Sequence, residues 1–384
     1  MKPFEKFLGK MREAAQLAQG ADPLAATAVI EQALTAAGLM QPKQEPAARA
    51  RPEAPELFDL NAPPEWVGKQ ARGRRARRTG PEAPGRRPAT PDPRAPGEFL
   101  QGSFSAEAGS LRYRLYIPAR PATGPRPLLV MLHGCTQDAG DFAAGTDMNA
   151  LAEEHGCLVL YPEQSRAANA TLCWNWFEVL HQEREGGEPS LIAGVTREVI
   201  ERWQGDPERV YVAGLSAGGA MAAIMAATHP ELYAAVGVHS GLPVGKARDL
   251  ITGLAAMKRK KGRTGAKSGP SQQSVPIIVF HGDSDDIVHS DNGEAVLEQF
   301  LPPASAGPLR RTRESGKAAS GRAFTRTIVA DKAGNGVAEH WELHGAGHAW
   351  SGGSTAGSYT DPGGPSASAE MLRFFLSQHR GRSN

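Results

Sequence analysis

The pentapeptide Gly214-Leu215-Ser216-Ala217-Gly218 stands between a β-rich run and an Ala-rich run, and that context gives its serine a chemistry. A strand that turns at once into a helix leaves no room for side chains beside the turn, so glycine must flank the serine on both sides. The hydroxyl then stands clear of the sheet at a helix N-terminus, whose dipole favours developing negative charge. A serine so placed can attack a carbonyl carbon, provided that a base takes its proton. Two histidines follow a strand in His344-Gly345-Ala346-Gly347-His348. His348 lies deeper in the glycine-rich loop and is the candidate base, whereas His344 belongs to the strand end and reads as structural. The acid that orients such a base comes between serine and histidine, just after a strand. Residues 275–281 form that strand, and Gly282-Asp283-Ser284-Asp285-Asp286-Ile287-Val288 follows it. Asp285 is the candidate, because it ends a short turn from which Val288 returns to the core. Asp283 and Asp286 remain open, and an aspartate here without that task would cap the turn through its own backbone.

Developing negative charge on the carbonyl oxygen needs two backbone N–H groups aimed at one point. Ala217, next after the serine, supplies one. The loop after an early strand, Leu132-His133-Gly134-Cys135, supplies the other at Cys135. No strand–helix elbow surrounds the Cys135 thiol, which reads as packing rather than as a nucleophile. Cys173-Trp174-Asn175-Trp176-Phe177 gathers two of the six tryptophans of the chain. Aromatic clusters are usually core, yet beside a cleft they can form an apolar platform for an acyl chain or polymer. Trp174, Trp176 and Trp350, two residues beyond His348, are the candidate substrate-binding residues.

The elements that must position these groups alternate along residues 99–384. Strands are expected at 113–118, 128–133, 157–161, 209–213, 234–239, 275–281 and 340–343, and helices at 147–154, 191–203, 217–227 and 367–379. The unbroken apolar run at 128–133 suits a strand covered on both faces. Strands alternating with helices predict an α/β fold with a doubly wound, mostly parallel sheet. Residues 258–274, basic and Gly-rich, and 302–321 are expected to be surface loops.

The first 98 residues have another character. Apolar side chains recur at helical spacing over 4–18, and Asp22-Pro23 opens a second short helix that Gly38 ends, so 1–40 reads as two small amphipathic helices. Residues 41–98 are rich in Pro and Arg, with Lys69, Arg72, Arg74, Arg75, Arg77 and Arg78 close together, and read as a disordered linker. Such a charge run is ordinarily a solvated element, and contact with an anionic surface is the sharper reading. The formal charge of +2 over 384 residues makes no case for nucleic acid or membrane. Three cysteines without a CxxC pattern predict neither a disulfide scaffold nor a zinc site. Charges at Lys2, Glu5, Lys6, Lys10, Arg12 and Glu13 interrupt any apolar signal segment, which points to a cytoplasmic protein with reduced thiols. No run of about 18 apolar residues occurs to span a bilayer. If the chain meets an oxidising compartment, Cys135 and Cys173, in the two loops assigned to the site, become candidates to bridge.

Four motifs together, His133-Gly-Cys-Thr-Gln137, Cys173-Trp-Asn-Trp-Phe177, Gly214-Leu-Ser-Ala-Gly-Gly219 and Gly347-His-Ala-Trp-Ser-Gly-Gly353, resemble the polyhydroxybutyrate depolymerase family of esterases. Tyr359-Thr-Asp-Pro-Gly-Gly-Pro365 and Ala369-Glu-Met-Leu-Arg-Phe-Phe375 are similar to the same family, and the likeness runs over about residues 100–380. The resemblance implies an α/β-hydrolase fold and hydrolysis of a polyester or other carboxylic ester through Ser216, Asp285 and His348, with Cys135 and Ala217 holding the oxyanion and no metal or organic cofactor. It extends to feruloyl and acetyl-xylan esterases, which keeps small esters and acylated carbohydrates as alternative substrates. Many members carry a signal peptide, a linker and a polymer-binding module, and this chain has an Arg/Pro-rich extension in their place. A polyhydroxyalkanoate granule surface is the partner that such an extension suggests. A non-enzymatic granule scaffold is the competing class, and the intact serine, acid and histidine argue against it.

Overall fold

The apolar run of strand β3 (Arg126–Leu132) sets the architecture. Side chains alternate across a strand, so Leu128, Val130 and Leu132 point to one face and Leu129 and Met131 to the other. All five are buried, and the two sets belong to separate apolar layers. A strand buried on both faces needs helices on both sides of its sheet.

The computed structural model describes residues 94–258 and 275–380. Strands β1 (Glu98–Ala106), β2 (Gly109–Ile117), β3, β4 (Leu158–Glu163), β5 (Gly205–Leu215), β6 (Ala235–His239), β7 (Ile277–Gly282), β8 (Arg310–Lys317), β9 (Ala323–Ala330) and β10 (Gly336–Leu343) form one sheet. Their order is β1-β2-β4-β3-β5-β6-β7-β10-β9-β8. The six central strands, β4 to β10 in that order, run parallel, and antiparallel hairpins flank them at both edges. A pair of short strands, β11 (Trp350–Ser351) and β12 (Thr360–Asp361), stands apart.

One face is covered by α3 (Gly187–Arg202), α4 (Ala217–Thr228), α5 (Leu250–Met257) and α6 (Asp291–Phe300), through side chains such as Ile192, Met221, Ala256 and Val296. The other is covered by α1 (Ala139–Thr146), α2 (Met148–His155) and α7 (Ala367–Leu376), through Phe142, Met148 and Phe375. Helix α4 is apolar all round, and every residue from Ala217 to Ala226 is buried, as a helix enclosed by its neighbours requires. The doubly wound, mostly parallel sheet expected from the alternation is present.

Differences lie at the edges. The stretch 302–321 is not a loop throughout, since β8 occupies Arg310–Lys317 and pairs with β9. Strands β1 and β9 and helices α1, α5 and α6 were not anticipated. The expected helices of 1–40, the linker up to residue 93 and the insertion at 259–274 lie outside the described residues. The end of the 41–98 stretch is ordered chain: Arg94 pairs with Asp147 at 2.6 Å, and β1 begins at Glu98. Among the described residues no helix is long and apolar enough to cross a membrane.

Candidate active site

Ser216 sits between β5 and α4 with φ 58° and ψ −117°, a left-handed conformation that non-glycine residues rarely adopt. Its N–H donates to the carbonyl of His239, 2.9 Å away on the neighbouring strand β6. The flanking glycines are dictated by space. A Cβ at Gly218 would stand 2.0 Å from the Leu132 carbonyl oxygen, and one at Gly214 would stand 2.3 Å from the Gly218 backbone. The turn therefore accepts no larger residue on either side, as its sequence suggested. The serine side chain is left partly exposed at the N-terminus of α4.

Asp285 and His348 come from neighbouring strands of the same parallel sheet, after β7 and β10 respectively. Ser216 follows β5, two strands away from β10's partner in the order β5-β6-β7-β10, so all three leave the sheet at its carboxyl edge. In open α/β sheets that edge is where ligands bind. Asp285 Oδ2 lies 2.7 Å from His348 Nδ1. The other carboxylate oxygen accepts the N–H groups of Ile287 (3.0 Å) and Val288 (2.8 Å). The Asp285 side chain is fully buried. Burial pushes its carboxyl up, but His281, His348 and the Val288 N–H outweigh burial and hold it well below the usual carboxylate range. With the carboxylate on Nδ1–H, the His348 Nε2 atom is left as the proton acceptor. The Ser216 hydroxyl makes no hydrogen bond with it among the described residues; in sites without substrate such bonds are often long and tighten when substrate binds.

The other two aspartates are engaged elsewhere. Asp283 Oδ2 meets His344 Nδ1 at 3.0 Å, and its Oδ1 accepts the Gly345 N–H at 2.7 Å. His344 Nε2 meets Thr325 Oγ1 at 2.9 Å, which ties that histidine to the sheet edge. Asp286 points its side chain to solvent, and its carbonyl is bonded by Lys258.

Two buried histidines beneath the site carried no recognisable sequence signal. His281, at the end of β7, bonds the Val288 carbonyl at 2.8 Å through Nε2 and lies 3.5 Å from Asp285. His239, at the end of β6, accepts the Ser351 N–H on Nε2 at 3.0 Å, so its proton sits on Nδ1, beside Ser240 Oγ at 3.2 Å. Burial, then the nearby His281 and His348, push His239 down to about 3, which keeps it neutral. It thus links the backbone of Ser216 to the chain three residues beyond His348.

Cys135 lies after β3, in the loop expected to supply an N–H. Neither its N–H nor that of Ala217 has an acceptor among the described residues. The loop is held from several sides. Gly134 N–H donates to Gln137 Oε1 at 2.9 Å, Trp174 Nε1 donates to the His133 carbonyl at 3.1 Å, and Gln164 N–H donates to His133 Nε2 at 3.1 Å. Cys135 is joined to Cys173 by a disulfide, contrary to the expectation of reduced thiols. The third cysteine, Cys157, is free and buried, and burial pushes its thiol up to about 12.

The tryptophans do not form a platform. Trp174, Trp176 and Trp350 are all buried in the core, at 0%, 7% and 1% exposure. Trp350 stacks on His239 and donates to Ser368 Oγ at 3.0 Å, and Trp174 donates into the Cys135 loop. Trp174 and Trp350 support the site from beneath, and Trp176 packs edge-on against Phe177.

The family model described as esterase PHB depolymerase matches residues 111–324, more than half the chain, and ends short of His348. Poly(3-hydroxyalkanoate) depolymerase C of Paucimonas lemoignei is 30% identical over 271 residues, covering 68% of this chain and 62% of its own length. A probable acetylxylan esterase A of Aspergillus fumigatus is 36% identical over 145 residues, 37% of each chain. This chain therefore spans less than two thirds of either relative. Among solved structures, the acetyl xylan esterase from Aspergillus awamori matches with a TM-score of 0.56 and 20% identity, over 73% of this chain and all of that one. That likeness identifies the α/β-hydrolase fold.

Proposed function

The chain belongs to the esterase PHB depolymerase family, and from that premise we propose that it is a serine carboxylic-ester hydrolase acting on poly(3-hydroxybutyrate) or its oligomers. The observation that carries the proposal is the buried Asp285–His348 pair at the same sheet edge as the Ser216 elbow. His348 Nε2 removes the proton as Ser216 Oγ attacks the ester carbonyl, and Asp285 fixes the tautomer and stabilises the imidazolium. The N–H groups of Cys135 and Ala217 hold the oxyanion. The imidazolium then protonates the leaving alcohol, and water attacks the acyl-enzyme on Ser216 with His348 again as base.

The polymer reading is supported by the identity with the Paucimonas depolymerase, and the identity with acetylxylan esterase A favours an acylated carbohydrate as the second reading. Hydrolysis of p-nitrophenyl butyrate tests the chemistry, and an inert protein would favour a scaffold role. Clearing of dispersed poly(3-hydroxybutyrate), set against deacetylation of acetyl-xylan, then separates the two substrates. Adhesion to a polyhydroxyalkanoate granule through residues 1–98 belongs to the same proposal and rests on the sequence pattern of that stretch.

A further inference from the structure

Thr136, next after Cys135, has φ 67°, and Leu172, just before Cys173, has φ 57°. Both are left-handed non-glycine residues, a conformation costing about 1 kcal/mol or more that persists only where the surroundings over-determine it. The two segments are drawn together by Thr136 N–H donating to the Thr171 carbonyl at 2.7 Å, and by the disulfide between their neighbours. Behind Cys173, the buried Glu188 accepts the Asn175 N–H at 2.8 Å and Asn175 Nδ2 at 2.7 Å, and Gln164 bridges Glu188 to the Cys173 carbonyl. The 173–175 segment is thus anchored in the core. The 134–136 segment, which carries the N–H that the mechanism needs, is stapled to that anchor.

We infer that Cys173 is a positioning residue: its disulfide to Cys135 holds the Cys135 N–H in line with the oxyanion, so that ester hydrolysis is gated by the redox state of this bond. The inference rests on the serine-esterase reading. It concerns the transition state specifically, because an oxyanion donor contributes little until the carbonyl oxygen takes up charge. Both sulfur-bearing residues are partly exposed, so a dithiol can reach them. A dithiol such as dithiothreitol delivers two electrons and two protons: the S–S bond breaks, Cys135 and Cys173 become thiols, and the dithiol closes to its cyclic disulfide. Once cut, the loop keeps its hydrogen bonds but loses the constraint between two left-handed turns.

The test compares the oxidised protein, the same protein after dithiothreitol under native conditions, and Cys173→Ser, each assayed on p-nitrophenyl butyrate, with melting recorded and thiols counted after unfolding, since Cys157 is buried. Reduction should raise the thiol count from the single Cys157 to all three cysteines. It should lower kcat by about tenfold to a hundredfold, part of the loss seen when an oxyanion donor is removed outright. KM should change by less than about threefold, because ground-state binding does not use this donor. Reoxidation should restore kcat, and Cys173→Ser should show the same loss with no further response to dithiol. An unchanged kcat at three thiols overturns the inference, as does a fall in kcat that merely tracks unfolding. If Cys173→Ser does not fold, the reduced wild type decides. A Ser216→Ala control that stays active would instead overturn the esterase reading beneath it.

Discussion

Asp285 Oδ2 lies 2.7 Å from His348 Nδ1, while Asp283, two residues earlier, meets His344 at 3.0 Å. The two loops after β7 and β10 are therefore cross-linked by two carboxylate–imidazole pairs in register. The inner pair is buried, and the outer one is roughly a third exposed. The difference in burial assigns them different tasks, and it makes the aspartates separable by experiment.

Neutralising one aspartate at a time should single out Asp285. Asp285→Asn should lower kcat by about 10^4, because the amide selects the wrong histidine tautomer. Asp286→Asn should be nearly silent, and Asp283→Asn should cost well under tenfold with a small loss of thermal stability, since it removes only the outer pair. Steady-state kinetics on a soluble ester checks all three, and equal losses would mean that the loop rather than one carboxylate matters.

The elbow makes a prediction about folding. Gly218→Ala places a methyl 2.0 Å from the Leu132 carbonyl oxygen, a backbone atom that cannot swing aside. The expected cost is about 3 kcal/mol, measured as a lowered denaturation midpoint with activity lost in parallel. Gly347→Ala, where nothing lies within 4 Å of the new Cβ, is the control and should melt like the parent.

Acid should destabilise this protein well before its carboxylates titrate. Burial first, then the neighbouring His281, pushes His340 down to about 4, and His239 lies at about 3. Histidines in the unfolded chain take up protons near 6.5. Between about 6.5 and 4 the unfolded state therefore binds more protons than the folded one, so stability falls as pH falls through that window. Each such histidine contributes up to ~1.4 kcal/mol per pH unit. Urea denaturation at stepped pH should show the slope, and His340→Gln should make it shallower by about one proton.

Removing residues 1–93 should leave hydrolysis of a soluble ester within about twofold, because the proposed triad and the ordered chain from Arg94 onward are kept. It should weaken pelleting with polyhydroxyalkanoate granules, more so at low salt, where the Arg run is least screened. Equal pelleting of the two forms would dispose of the tether.

What could be read in the sequence was what local sterics or unbroken patterning dictates. The β3 run needed cover on both faces, and the glycines around Ser216 admit no other turn. Choosing among three aspartates took the turn's return through Val288, and only the fold reveals why Asp283 is drawn to His344. Strand β8 was missed because Arg310–Lys317 is almost wholly exposed and carries no apolar alternation, being held by its ladder to β9 and by ion pairs of Arg311 with Glu298 and Arg313 with Glu342. The tryptophans misled because nearness in sequence to Cys173 and His348 says nothing about which way an indole points. The pair that forms the disulfide followed from its two loops, but the charges of the N-terminus set reduced thiols ahead of it, and those charges do not bear on the distance between two loops. His239 and His281, each at the polar end of an apolar strand, β6 and β7, belong to no motif, and only the fold brings them beneath the site.

The most direct measurement of the central claim is the turnover of Ser216→Ala beside covalent labelling by a fluorophosphonate. In Ser216→Ala, kcat should fall by on the order of 10^4–10^6 with the fold intact, and the parent should take up one phosphonyl group, on Ser216, which the variant does not. A well-folded variant that keeps more than about a tenth of the activity, or that is labelled as the parent is, would contradict that claim.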